Sequence, residues 1–139
     1  MQFISPPTDK SMQIHHIAIW VENLEVVRDF YLQYFDCRAG DFYHNPTKKF
    51  TSCFISFSNE SRIELMKRPD IKPTIKAEKM GYTHLAIQVG TREDVNRLSQ
   101  KIENDGFIIV GQPRLSGDGY YESAILDPEG NRIELLACD

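Results

Sequence analysis

The sequence predicts an α+β fold in which one β-α-β-β-β unit occurs twice. Two repeated strings and one repeated order of patterns carry that expectation. HIAIWV at residues 16–21 returns as HLAIQV at 84–89, and RIEL at 62–65 recurs unchanged at 132–135. Between the two strings of each copy lie one helical period and further strand-like runs, in matching order. With 139 residues the chain is sized for one domain spanning 1–139. Within it the first module covers about 13–68, a connector 69–80, and the second module about 81–137.

Residues 1–12, with Pro6 and Pro7 among polar neighbours, read as an irregular arm. Residues 14–21 alternate as a strand. Ile14, His16, Ala18 and Trp20 take one face, and His15, Ile17, Ile19 and Val21 take the other. The second set is mostly branched aliphatic and suits packing against a helix. Asn23 caps that helix, which runs through about Phe35 with Leu24, Val27, Tyr31 and Tyr34/Phe35 as its apolar stripe. Strands follow near 38–43, 51–58 and 61–67, the last two joined by the polar break Asn59-Glu60. The segment 69–80 is charged, holds two prolines and has no clean period, so it reads as the connector.

The second copy repeats the order. A strand at 83–89 precedes Thr91, Arg92, Glu93 and Asp94, which form a helix start with an acidic first turn. Val95, Leu98 and Ile102 give that helix its stripe and Gly106 ends it. Strands near 107–112, 119–126 and 131–137 complete the unit, the last two linked by the turn Asp127-Pro-Glu-Gly-Asn131.

Composition narrows the partners. Net charge is −4 with no basic run, so nucleic-acid binding lacks electrostatic support. No stretch approaches the roughly 18 apolar residues that a membrane span needs. The N-terminus lacks a basic segment followed by an apolar one, so no signal peptide is expected. Cys37, Cys53 and Cys138 are scattered and odd in number, which argues against a disulfide framework and places the chain in the reducing cytoplasm.

Strand parity isolates the candidate chemistry. His16 opposes Ile17, Ile19 and Val21; Glu64 opposes Ile63 and Leu65; His84 opposes Leu85, Ile87 and Val89; Glu134 opposes Ile133 and Leu135. All four potential metal ligands therefore leave the helix-packed face, and a slip of one residue would bury any of them. The His-to-Glu separation is 48 residues in one copy (16 to 64) and 50 in the other (84 to 134). Two imidazoles and two carboxylates suit Ni²⁺, Co²⁺, Mn²⁺, Fe²⁺ or Zn²⁺, with coordination positions left for water or substrate. Trp20, Ala18, Gln88, Ala86 and Met66 share the ligand face as pocket wall, with Phe54 and Tyr121 added where their registers allow. His15 has the wrong parity and His44 sits in a polar loop, so both read as structural or exposed.

HIAIWV…RIEL together with HLAIQV…DPEGNRIEL resembles the vicinal oxygen chelate superfamily, in particular its glyoxalase I-like branch, over about residues 13–137. The resemblance implies paired βαβββ modules forming a curled mixed sheet with helices on the outer face. It implies a divalent metal held by His16, Glu64, His84 and Glu134, and a homodimer acting on a small molecule. The implied activity is that of a lyase or isomerase of the lactoylglutathione lyase type, shifting a proton next to a carbonyl through a metal-bound enediolate. Glu134 is the implied general base and Glu64 its pseudo-symmetric partner. Glutathione-using members of the bacterial type have arginine where this chain has Trp20, and asparagine where it has Arg68; both changes fall where glutathione would be held. An extradiol-type dioxygenase using His16, His84 and Glu134, and a drug-binding protein without catalysis, are the other readings that the resemblance allows.

Overall fold

The computed structural model describes residues 12–75 and 77–139; apart from Met12, the expected N-terminal arm lies outside the described residues. In chain order the elements are β1 (Ile17–Trp20), α1 (Leu24–Tyr34), β2 (Cys37–Ala39), β3 (Tyr43–Asn45), β4 (Phe50–Phe57) and β5 (Arg62–Lys67). They continue with β6 (His84–Gly90), α2 (Arg92–Asn104), β7 (Ile109–Leu115), β8 (Tyr121–Leu126) and β9 (Arg132–Ala137). The expected α+β class and paired plan are present as two mixed sheets. One has the order β1-β5-β4-β2 with β3 also on β4; the other has the order β6-β9-β8-β7. In each, the first and last strands pair in parallel and the remaining neighbours are antiparallel.

Two strands differ from expectation. The run expected at 38–43 is broken into β2 and β3, both paired with β4. Gly40 and Asp41, poor strand formers, stand at the break, and the Gly40 N–H donates to the Phe54 carbonyl at 2.9 Å as the chain leaves β2. The first strand is shorter than 14–21, because β5 begins at Arg62 and offers its first partner, Ile63, to Ile17. His16 thus sits just ahead of β1.

Both helices start where the sequence places a cap. Asn23 Oδ1 accepts the Val26 N–H at 3.1 Å. At α2, Thr91 and Asp94 form a reciprocal capping box. Gly90, immediately before it, has φ +129°, and a Cβ there would run into the Asp94 carboxylate. Glycine is required at that corner both for its backbone and for its bare face.

The helix-facing sides of both sheets meet in one core. Val27, Tyr31, Ile55 and Leu65 from the first half join Val95, Ile102, Ile133 and Leu135 from the second, all fully buried. Phe30 meets Phe107 edge-on with ring centroids 5.0 Å apart. The Tyr34 hydroxyl donates to Asp105 at 2.6 Å. Glu129, in the turn between β8 and β9, accepts the Glu22 and Asn23 backbone N–H groups at 2.7 and 2.8 Å, at the start of α1. Because each helix-packed face turns toward this shared core, the opposite face of each sheet, which carries the histidine and glutamate, turns outward. Among the described residues no helix is long and apolar enough to cross a membrane.

Candidate metal centre

Register brings each histidine to its glutamate. Along β1 and β5, Ala18 pairs with Glu64 and Trp20 with Met66; along β6 and β9, Ala86 pairs with Glu134 and Gln88 with Leu136. His16 and His84, two residues before the alanines, stand on the same face one step along. His16 Nε2 lies 3.4 Å from Glu64 Oε1, and His84 Nε2 lies 3.3 Å from Glu134 Oε2. The histidine side chains are about a third exposed, at 35% and 32%, so solvent or a second molecule reaches both pairs.

That spacing fits two donors of one ion. Metal–ligand bonds of about 2.0–2.2 Å at angles between octahedral and tetrahedral put neighbouring donor atoms about 3.0–3.5 Å apart. The other ring nitrogen of each histidine is also engaged. His84 Nδ1 lies 2.7 Å from Thr83 Oγ1, and His16 Nδ1 lies 2.8 Å from His15 Nδ1. In the tautomer whose Nδ1–H donates outward, Nε2 keeps its lone pair on the side of the carboxylate, as a metal ligand requires. His15, expected as merely structural or exposed, is exposed and also orients His16.

The two halves keep their pairs apart. Among the described residues no group of three or more histidine, cysteine, aspartate or glutamate side chains is arranged to hold a metal ion. His16 and Glu64 form one pair and His84 and Glu134 another, on sheet faces that turn away from the common core.

The walls around the pairs differ. In the first half Phe54 faces Glu64 across β4 and β5, and its ring meets His16 edge-on at 5.2 Å. Trp20 stands beyond, edge-on to Phe50 at 6.3 Å, with the Arg68 guanidinium 5.2 Å above its ring. Met66 is half-buried between them along β5. In the second half Ala124 takes the place opposite Glu134, Glu122 stands opposite Leu136, and Gln88 is exposed. Burial, and then the neighbouring Glu134 carboxylate, push the Glu122 carboxyl above its usual range.

Glu122 replaces Tyr121 as a wall residue. The Tyr121 hydroxyl donates to Asn96 at 2.6 Å and its ring lies under Arg92, both on the α2 side of the sheet. One step along β8 reverses the face, and the full burial of Ile125 was the signal that sets the parity. His44, on β3, has its Nδ1 2.8 Å from Thr51 Oγ1 across the hairpin, away from either pair.

A family model described as the Glyoxalase/Bleomycin resistance protein/Dioxygenase superfamily matches residues 13–135. The chain belongs to this superfamily. Protein YqjT of Bacillus subtilis (strain 168), itself uncharacterized, is 28% identical over 131 residues, covering 89% of this chain and 98% of that one. Glyoxalase I from Zea mays superposes with a TM-score of 0.73 at 23% identity, covering 89% of this chain and 44% of the maize chain. The chain thus spans less than half of that enzyme. The trypanothione-dependent glyoxalase I of Leishmania major superposes with a TM-score of 0.74 at 25% identity, covering 91% and 87% of the two chains. A glyoxalase/bleomycin resistance protein/dioxygenase domain from Frankia sp. EAN1pec reaches 0.77 at 15% identity, covering 92% and 93%.

Proposed function

We propose that two copies of this chain form a homodimer that binds a divalent metal ion and moves a proton on a carbon next to a carbonyl, as a lyase or isomerase of the glyoxalase I type. Each site takes His16 and Glu64 from one protomer and His84 and Glu134 from the other. The observation that carries this reading is the equal spacing of Nε2 and carboxylate in both halves, 3.4 and 3.3 Å, on outward faces. A symmetric pair of protomers makes two equivalent sites by such an exchange. Three free thiols fit a reducing compartment.

When bound, the ion supplies a Lewis acid that polarises vicinal oxygens of the substrate. The chain supplies the rest. Glu134 takes the proton: it faces the small Ala124 across the strands, with the Glu122 carboxyl close beside it, whereas Glu64 is confined by Phe54. Thr83 and His15 keep the two imidazoles turned toward their carboxylates. Phe54, Met66 and Trp20 form an apolar wall that shields the reacting carbon from water.

The test is metal content and turnover in protein purified without chelator. His84→Ala and Glu134→Gln are each expected to lose bound metal, and Glu134→Gln to lose at least about a hundredfold in turnover of the methylglyoxal–glutathione hemithioacetal. Wild-type metal content in both variants would sink the site. Bound metal without turnover of that substrate would remove glutathione, in keeping with Trp20 and Arg68 at the two departing positions.

A further inference from the structure

A cavity of about 460 Å³ opens past the end of β5, the strand that carries Glu64, lined by Lys48, Lys49, Arg68, Pro69 and Asp70. Its charge runs against that of the chain: three cations and one acid, in a protein of net charge −4. The acid does not silence the cations. Asp70 engages Arg68 through Nε at 2.6 Å, which leaves the terminal guanidinium nitrogens for another anion. Among the described residues neither lysine forms an ion pair.

The cavity is joined to the metal pair by a continuous face. Glu64 and Met66 on β5 and Arg68 just past its end follow one another on alternate residues, so the Arg68 backbone stands about 13 Å along the chain from that of Glu64. The ground between them is mostly apolar, with Phe54, Met66, Phe50 and Trp20 on the same side and the buried Ser52 opposite Met66. Arg68 itself lies over the Trp20 ring.

We propose that Lys48, Lys49 and Arg68 hold the anionic end of an elongated substrate whose other end meets the His16–Glu64 pair. The substrate class is an organic acid with an apolar or aromatic middle, charged at the end remote from the reacting carbon. A guanidinium fork and two ammonium groups fit a carboxylate or a phosphate alike, and the flat Trp20–Arg68 stack suits an unsaturated body. This deepens the proton-transfer reading above and rests on it for the reacting end.

Trp20 is the only tryptophan of the chain, so its fluorescence reports on this place alone. Metal-free protein is titrated, in the presence of EDTA, with phenylbutyrate, with phenylbutyl phosphate, and with the neutral isostere phenylbutanol. The acid and the phosphate are expected to change Trp20 emission saturably and to bind about tenfold more tightly than the alcohol, with the preference lost at high salt. The tighter of the two anions names the source. Lys48→Gln with Lys49→Gln is expected to weaken the anions about fivefold or more and leave the alcohol unchanged, and Arg68→Gln, which also opens the stack on Trp20, to weaken the anions more than the alcohol. Equal affinity for anion and alcohol in the wild type, or an undiminished preference in both variants, would overturn the proposal. Because no metal is present, that failure leaves the metal reading standing; absence of metal from the purified protein would remove the metal reading and leave the anion preference intact.

Discussion

Each of the imidazoles of His16 and His84 is held between two neighbours, a carboxylate at Nε2 and a hydrogen-bond partner at Nδ1, rather than by burial. Removing the outer partner leaves the ring free to rotate. Thr83→Val is therefore expected to weaken metal binding about 10- to 100-fold without unfolding the protein, measured by competition with a chelating dye; unchanged affinity would show that Thr83 does not orient His84. The two His–Glu pairs were legible in the sequence because strand alternation puts His and Glu on one face and branched aliphatics on the other. The contacts of Thr83 and His15 were not, because each is made to the next residue along the chain and depends on side-chain rotamers that alternation does not set. At the same scale, the fully buried Tyr31 hydroxyl has no hydrogen-bond partner among the described residues. Tyr31→Phe removes an unsatisfied polar atom and is expected to stabilise the fold by about 1 kcal/mol, read as a higher urea midpoint at unchanged slope.

At the scale of elements, the turn Asp127-Pro-Glu-Gly-Asn131 serves two ends. Asp127 closes it by accepting the Glu129 and Asn131 backbone N–H groups, each at 2.9 Å. Glu129 then reaches the entry to α1 in the other half, accepting the N–H groups of Glu22 and the cap residue Asn23, where the positive end of the helix favours an anion. Glu129→Ala deletes both bonds and is expected to cost about 1–2 kcal/mol, checked by chemical denaturation, with Glu60→Ala in the corresponding turn of the first half as a silent control. The turn could be read from its Pro and Gly; the reach of Glu129 could not, since it depends on how the two halves pack. The same limit explains Tyr121 and Glu122. A strand edge placed two residues early leaves the alternation intact, but choosing which parity faces the helix needs the buried partners Ser123 and Ile125. The split of the expected strand at 38–43 had its signal in Gly40 and Asp41.

For the whole molecule, the decisive feature is that one core joins the two halves through their helices and so turns the ligand faces outward. The repeat announced two similar units and their chemistry, but two copies of a pattern do not say which of their faces meet. The contact is pH-sensitive. The Tyr34 hydroxyl, and then Lys101, hold the Asp105 carboxyl below its usual range, while burial and the same bond push Tyr34 up to about 12. A carboxyl lowered in the folded state adds stability that is full above its unfolded value of about 3.9 and is lost as pH falls through the folded value. Tyr34→Phe is accordingly expected to make the fall in Tm below about pH 4 shallower, with little change in acid sensitivity contradicting the role of this bond. In the proposed dimer the outward faces make metal binding a property of the pair, and mixing variants tests that directly. A variant with His16→Ala and Glu64→Gln is unfolded and refolded together with one carrying His84→Ala and Glu134→Gln, and bound metal is measured. Each variant alone is expected to bind none, while the mixture recovers about a quarter of the wild-type sites, because half of the dimers are mixed and each has one intact site. No recovery in a mixture shown to contain mixed dimers, with the wild type fully loaded, would contradict a site shared between protomers.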